Sequence, residues 1–294
     1  MEPACRSLPR WTGYPERAVM KTLVDYDNQA VVVTGATRGI GLETALAFAA
    51  EGARCYLTFH LGSADLDEVY RRFEAIGALR PCIIQCNAAN EEQTQALFDA
   101  IRVEHDQVAA WISNVSVAQL VPDFESYYKR ALFQSIESSA WPLYGGIKRI
   151  KRTFGAYPKY AIGMSSAGAG QYLHNYDFMS ASKSVLETLC RYANYRLYDE
   201  DIRINVVRAG MVKSESMRLT FGDAFADKAR EFELDRYYLD PRAVASAILG
   251  LCSGYMDAVR GEVISVDKGF HFFDTFMRIY SDQQREVADR SIST

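Results

Sequence analysis

The chain of 294 residues carries 33 basic and 37 acidic side chains, a formal charge of -4, and is 49% hydrophobic. That is enough apolar material for one full α/β core, and a near-balanced charge without long runs of one sign argues against a nucleic-acid-binding or membrane-surface protein. No apolar run approaches the ~20 residues of a membrane-spanning helix, and the N-terminus lacks the apolar core of a signal peptide, so a cytoplasmic location is expected.

Residues 1–24 are punctuated by Pro and Arg without periodicity and read as a flexible leader, with Met20 as an alternative start. From Gln29 onward, short apolar runs alternate with helical patterns. "AVVVT" precedes a helix over 40–50, "RCYLTF" precedes Leu66, Val69, Phe73 and Ile76 at helical spacing, and "CIIQC" precedes a helix over 91–104. The alternation continues through "VAAWIS", a long helix around 125–152, "KYAIGM", a helix after Gln171, "IRINVV", a helix from about Pro241 and "EVISV". Parallel neighbours require crossovers, so the pattern predicts a single Rossmann-type α/β domain over 25–294, doubly wound on a mainly parallel seven-stranded sheet. The segment 213–240 stands out as a long insert with apolar Met217, Leu219, Phe221 and Phe225. Cysteines 5, 55, 82, 86, 190 and 252 lie mostly in apolar segments without His or Cys companions at ligand spacing, so no metal site is expected.

In "VVVTGATRGIGLETALAFAA", Gly35, Gly39 and Gly41 lie between a buried strand and a helix. Glycines there permit a tight turn and a close backbone approach, and the helix start offers unpaired N–H groups to a pyrophosphate. An acid about 20 residues further on usually binds the ribose in NAD enzymes; this chain has Thr58, Phe59, His60 and Leu61 there. Arg38, assisted by His60, is therefore the candidate partner of a 2′-phosphate, which favours NADPH over NADH.

The spacing Thr-Gly-x-x-x-Gly-x-Gly resembles the short-chain dehydrogenase/reductase family, and the resemblance runs through "CNAAN", "ISNVS", "INVVRAGMVKS" and "GEVISVDKGF", covering about 28–270. It implies that Gly35, Thr37, Arg38, Gly39, Ile40 and Gly41 cradle the dinucleotide, that Asn87 and Ala88 hold adenine, and that Asn114 also binds the cofactor. By the same resemblance Val212 and Ser214 lie at the nicotinamide carboxamide, and Lys183 holds the nicotinamide ribose. Departures are Ser116 for a glycine, Ala209 for a proline, and Ser135 where the family's fourth helix carries asparagine.

Most of the family reduces carbonyls with Ser, Tyr and Lys, the last two as Tyr-x-x-x-Lys. Here Ser166 and Lys183 are present, but Met179 stands four residues before Lys183 and cannot donate a proton. Tyr176 lies seven residues before the lysine, and seven helical residues turn through about 700°, so the two can share a face with the donor displaced by roughly 4.5 Å. A displaced donor suits an enoyl thioester, in which hydride reaches Cβ while charge appears on the distant carbonyl oxygen. Tyr-x6-Lys, with methionine between, resembles the enoyl-acyl carrier protein reductases, and "SSAGAGQYLHNYDFMSASK" is similar to the NADPH-dependent type of bacilli. The resemblance implies Tyr176, Lys183 and Ser166 as catalytic residues, with Tyr172 as a second candidate donor. It also implies Met179, Met217 and Phe221 at the substrate, a carrier-protein or coenzyme A thioester as partner, and a homodimer or homotetramer. The alternatives are a ketone or ketoacyl reductase with a displaced tyrosine and a catalytically silent dinucleotide-binding protein.

Overall fold

The computed structural model of the chain describes residues 25–284 apart from 61, 63, 64, 118, 273, 275, 282 and 283. The leader expected over 1–24 lies outside the described residues. Seven strands form one sheet, β1 (Ala30–Val33), β2 (Arg54–Phe59), β3 (Cys82–Gln85), β4 (Val108–Ser113), β5 (Tyr160–Ser166), β6 (Arg203–Ala209) and β7 (Val263–Val266). All neighbours are parallel in the order β3-β2-β1-β4-β5-β6-β7. The order reverses between β1 and β4, and such a reversal opens a crevice at the carboxyl ends of the strands.

Side chains on a strand alternate between faces, and the sheet divides its core accordingly. Val31, Val33, Cys55, Leu57, Ile112 and Ile162 pack beneath α1 (Gly39–Ala50), α2 (Leu66–Ala75) and, near the chain's end, Pro241–Leu251. Val32, Tyr56, Trp111, Ala161, Ile204 and Val206 face α3 (Glu91–Arg102) and two later helices, Trp141–Phe154 and Asp177–Arg196. Trp111 is fully buried and donates its indole N–H to Leu143 O at 3.1 Å, fixing a helix to β4 as well as filling space.

The long helix expected around 125–152 is two helices, α4 (Lys129–Ser139) and α5 (Trp141–Phe154), after a short 3-10 turn at Phe124–Ser126. Pro142 lies in the first turn of α5, where its missing N–H is tolerated; within a continuous helix it would have removed a hydrogen bond and clashed with the preceding turn. Next comes α6 (Asp177–Arg196), the helix of Lys183. The insert folds as α7 (Glu215–Phe221), α8 (Asp223–Glu231) and a 3-10 turn at Leu234–Tyr237, after which α9 (Pro241–Leu251) returns to the sheet. A single parallel bridge between Val212 and Leu239 joins the two ends of this insert, with Lys213 N–H donating to Leu239 O and Leu239 N–H to Met211 O. Among the described residues no helix is long and apolar enough to cross a membrane.

Candidate active site

The glycine turn is built by close contact. Gly35 has φ +61° and Gly39 φ +56°, left-handed conformations that favour glycine. A Cβ on Gly41 would stand 2.5 Å from Gly35 O, so only glycine lets α1 begin this near the end of β1. Asn114 locks the turn from β4, its Nδ2 donating to Thr34 O at 2.9 Å and Gly35 O at 3.1 Å. The start of α1 has no side-chain cap and no acid in its first turn, which leaves N–H groups and the positive dipole end for an anion. Thr37 is buried beside it and Ile40 packs on the core.

Arg38 has a protein partner. Its Nη1 donates to Glu215 Oε2 of α7 at 2.6 Å, with both side chains half exposed. His60 is exposed at the end of β2. The Asn87 side chain serves a local turn, Oδ1 accepting from Ala89 N–H at 3.0 Å, and Ala88 lies beside it. A groove of about 620 Å³ opens there, bordered by Asn87, Asn90, Val117, Gln119, Gln134 and Ser135. The Ser135 hydroxyl donates back to Ala131 O within α4. A second cavity, of about 470 Å³, opens at the opposite end of the strands against Tyr26, Val108 and Tyr160, and no expected site residue borders it.

The turn after β6 carries Val212 and Ser214. The bridge to Leu239 runs through the N–H of Lys213 and the O of Met211, so the N–H and C=O of Val212 itself turn away from Leu239. Ser214 Oγ accepts from Met217 N–H at 3.2 Å and thereby caps α7. An uncapped helix start, a glycine-only approach and free backbone groups at Val212 fit a dinucleotide laid across the strand ends.

Tyr176 is the cap residue of α6 and not part of the helix proper, with φ −103° and ψ 14°. Asn175 before it has a left-handed φ of +59°, so the chain turns sharply into α6. Helical rotation alone therefore does not set the tyrosine's direction. Its ring instead packs against Gly168, where an added Cβ would meet Cδ1 at 2.7 Å, and stacks on Phe221 of the insert at 6.1 Å between centroids. Phe225 stacks on Phe221 in turn at 4.8 Å. Burial raises the Tyr176 pKa and the adjacent Ser166 hydroxyl counters the rise. The two hydroxyls are neighbours without a properly aligned bond, because Ser166 Oγ is buried and has no partner that satisfies both distance and angle. Met179, half-buried, lies within the first turn of α6, and Met217 is half-buried on α7. Tyr172 is 84% exposed and stands apart from this group.

Lys183 is 2% exposed, and its Nζ donates to Ser116 Oγ at 2.5 Å and Met164 O at 2.6 Å. Burial pushes its ammonium down to about 7, while the Glu187 carboxylate pulls it back up. Ser116 stood out in the sequence as a departure and proves to be a direct partner of the lysine. Glu187 and Arg208 were missed. The available signal was a carboxylate on the buried stripe of a helix and an arginine within an otherwise apolar strand.

A family model described as "Enoyl-(Acyl carrier protein) reductase" matches residues 35–271. The 3beta-hydroxysteroid dehydrogenase 1 of Eggerthella lenta is 25% identical over 86% of this chain and 97% of its own length. The NADH-dependent enoyl-[acyl-carrier-protein] reductase of Nostoc sp. is 25% identical over 67% of this chain and 78% of its own. Among solved structures, the Bacillus cereus enoyl-acyl carrier protein reductase with NADP+ superimposes with a TM-score of 0.74 at 22% identity, covering 85% of this chain and 99% of the other. The chain therefore belongs to the short-chain dehydrogenase/reductase family, within the group described as enoyl-(acyl carrier protein) reductase, and is an NAD(P)-dependent oxidoreductase.

Proposed function

We propose that the protein reduces the C=C bond of an enoyl thioester with NADPH, in fatty-acid or polyketide-type biosynthesis. The observation that carries this is the buried Tyr176 hydroxyl beside the unpartnered hydroxyl of Ser166, with methionine in the usual donor position. A bound nicotinamide supplies the hydride. Burial keeps Tyr176 neutral, so it donates to the thioester oxygen and stabilises the enolate, while Ser166 offers a second donor. Lys183 orients the ribose, and Phe221, Met179 and Met217 give the acyl chain an apolar wall. Arg38 favours NADPH once it exchanges Glu215 for the 2′-phosphate; a half-exposed pair is worth at most about 1 kcal/mol, so the exchange costs little. A coenzyme A or acyl carrier thioester enters at the open ends of the strands. Exposed Phe133 on α4 and Leu189, Tyr192 and Tyr195 on α6 support a homodimer or homotetramer, in which a second subunit covers apolar surface.

The test is cofactor oxidation with crotonyl and acetoacetyl thioesters side by side, with NADPH and NADH, for wild type and Tyr176→Phe. Enoyl-dependent oxidation that falls by about a hundredfold or more in the variant is expected. Activity confined to the ketoacyl substrate would establish the second reading, a ketone reductase, which the likeness to a hydroxysteroid dehydrogenase favours.

A further inference from the structure

Ser166, Lys183 and the turn after β6 sit on three different elements, and one largely buried ion pair joins those elements beside them. Glu187 lies one turn beyond Lys183 on α6 and is 7% exposed. Its Oε1 accepts from Ser165 Oγ at 2.6 Å and from Arg208 Nε at 3.0 Å, and its Oε2 accepts from Arg208 Nη2 at 2.5 Å. Ser165 immediately precedes Ser166 and pairs in register with Arg208 across β5 and β6. Arg208 opens the run Ala209–Gly210–Met211–Val212, and its guanidinium reaches within 3.6 Å of where a Gly170 Cβ would lie, behind the turn that follows Ser166.

Burying a carboxylate with a guanidinium is seldom more stabilising than apolar residues of the same shape, whereas removing one partner alone is strongly destabilising. Stability by itself is thus a poor reason for such a pair beside the site. We propose that Glu187 is a positioning residue for the reduction: through Arg208 and Ser165 it registers the ends of β5 and β6 against the part of α6 that carries Lys183. The inference rests on the reading that Lys183 serves the cofactor. Lys183 is poised near neutrality, and Glu187 is the charge that raises it. Arg208 on β6 shares that carboxylate, Asp267 after β7 acts on Arg208, and Tyr176 remains neutral. Ser116 and the Met164 carbonyl contribute hydrogen bonds only. Without Glu187, Lys183 should lose its proton at lower pH.

NADPH binding, followed by nicotinamide fluorescence across pH, tests this for wild type, Glu187→Gln, the double variant Glu187→Leu with Arg208→Met, and Lys183→Met. The double variant removes both charges and remains informative if Glu187→Gln leaves Arg208 unpaired and fails to fold. We expect wild-type binding to weaken as pH rises through neutrality, the limb to move down by roughly one pH unit or more without Glu187, and Lys183→Met to lack it. A folded double variant with the wild-type limb would reduce the pair to a structural role, and a limb that survives in Lys183→Met would overturn the assignment to that lysine. Expected shifts in a protein that reduces no enoyl thioester would count against the proposed substrate and leave this inference standing.

Discussion

Lys183 Nζ sits where water does not reach. The unfolded chain keeps a lysine near about 10.4, whereas the folded protein lowers this one to about 7. Between those values the unfolded state binds more protons, so this residue makes stability rise with pH across that window, and its full cost falls on the folded state below the lower value. Lys183→Met should therefore stabilise the fold by about 2–4 kcal/mol near pH 6, less what the Met164 carbonyl loses with its donor, and the gain should shrink toward pH 10. Urea unfolding of both proteins across that range checks the sign, and a gain independent of pH would show that the amine is not held near its midpoint. On the proposed role of Lys183, activity and stability pull in opposite directions at this position.

At the scale of elements, the turn between β1 and α1 is the least tolerant joint. Gly41→Ala would place a methyl 2.5 Å from Gly35 O and 2.7 Å from Asn114 Nδ2, with backbone and a doubly bonded amide unable to give way. We expect cofactor affinity to fall roughly tenfold or more, measured by fluorescence, with circular dichroism little changed. This joint was legible from sequence, because its glycines and flanking apolar runs are local. So were "RCYLTF" and "VAAWIS", which match β2 and β4 residue for residue, since fully buried strands are continuous apolar runs. The division between α4 and α5 was not read, although Pro142 marks it. Nor was the cap position of Tyr176, which depends on the left-handed Asn175 and on Gly168 leaving room for the ring. The partners of Lys183 were illegible for a different reason: Ser116 and Met164 come from other strand ends, and only the completed sheet brings them within reach.

Across the whole molecule, the sheet supplies a rigid floor and the insert a wall, and they differ in how they are held. Each inner strand is hydrogen-bonded on both sides, while the insert closes on itself at the bridge of Val212 and Leu239 and is tied back by Lys268, whose Nζ donates to Arg236 O at 3.0 Å and Tyr238 O at 2.8 Å. Its own contacts to the site are few but specific: Phe221 on the Tyr176 ring and Glu215 on Arg38. Replacing 214–238 with the corresponding segment of a relative should consequently change which substrate is accepted while nicotinamide-cofactor affinity moves by no more than about tenfold. Parallel assays of substrate preference and cofactor binding would show whether the two properties separate. Because the chain leaves and rejoins the sheet at adjacent points, the insert is an exchangeable cassette: over evolutionary time, one oxidoreductase chassis could acquire new substrates by rewriting a single excursion of the chain, with no need to refold the machinery beneath it.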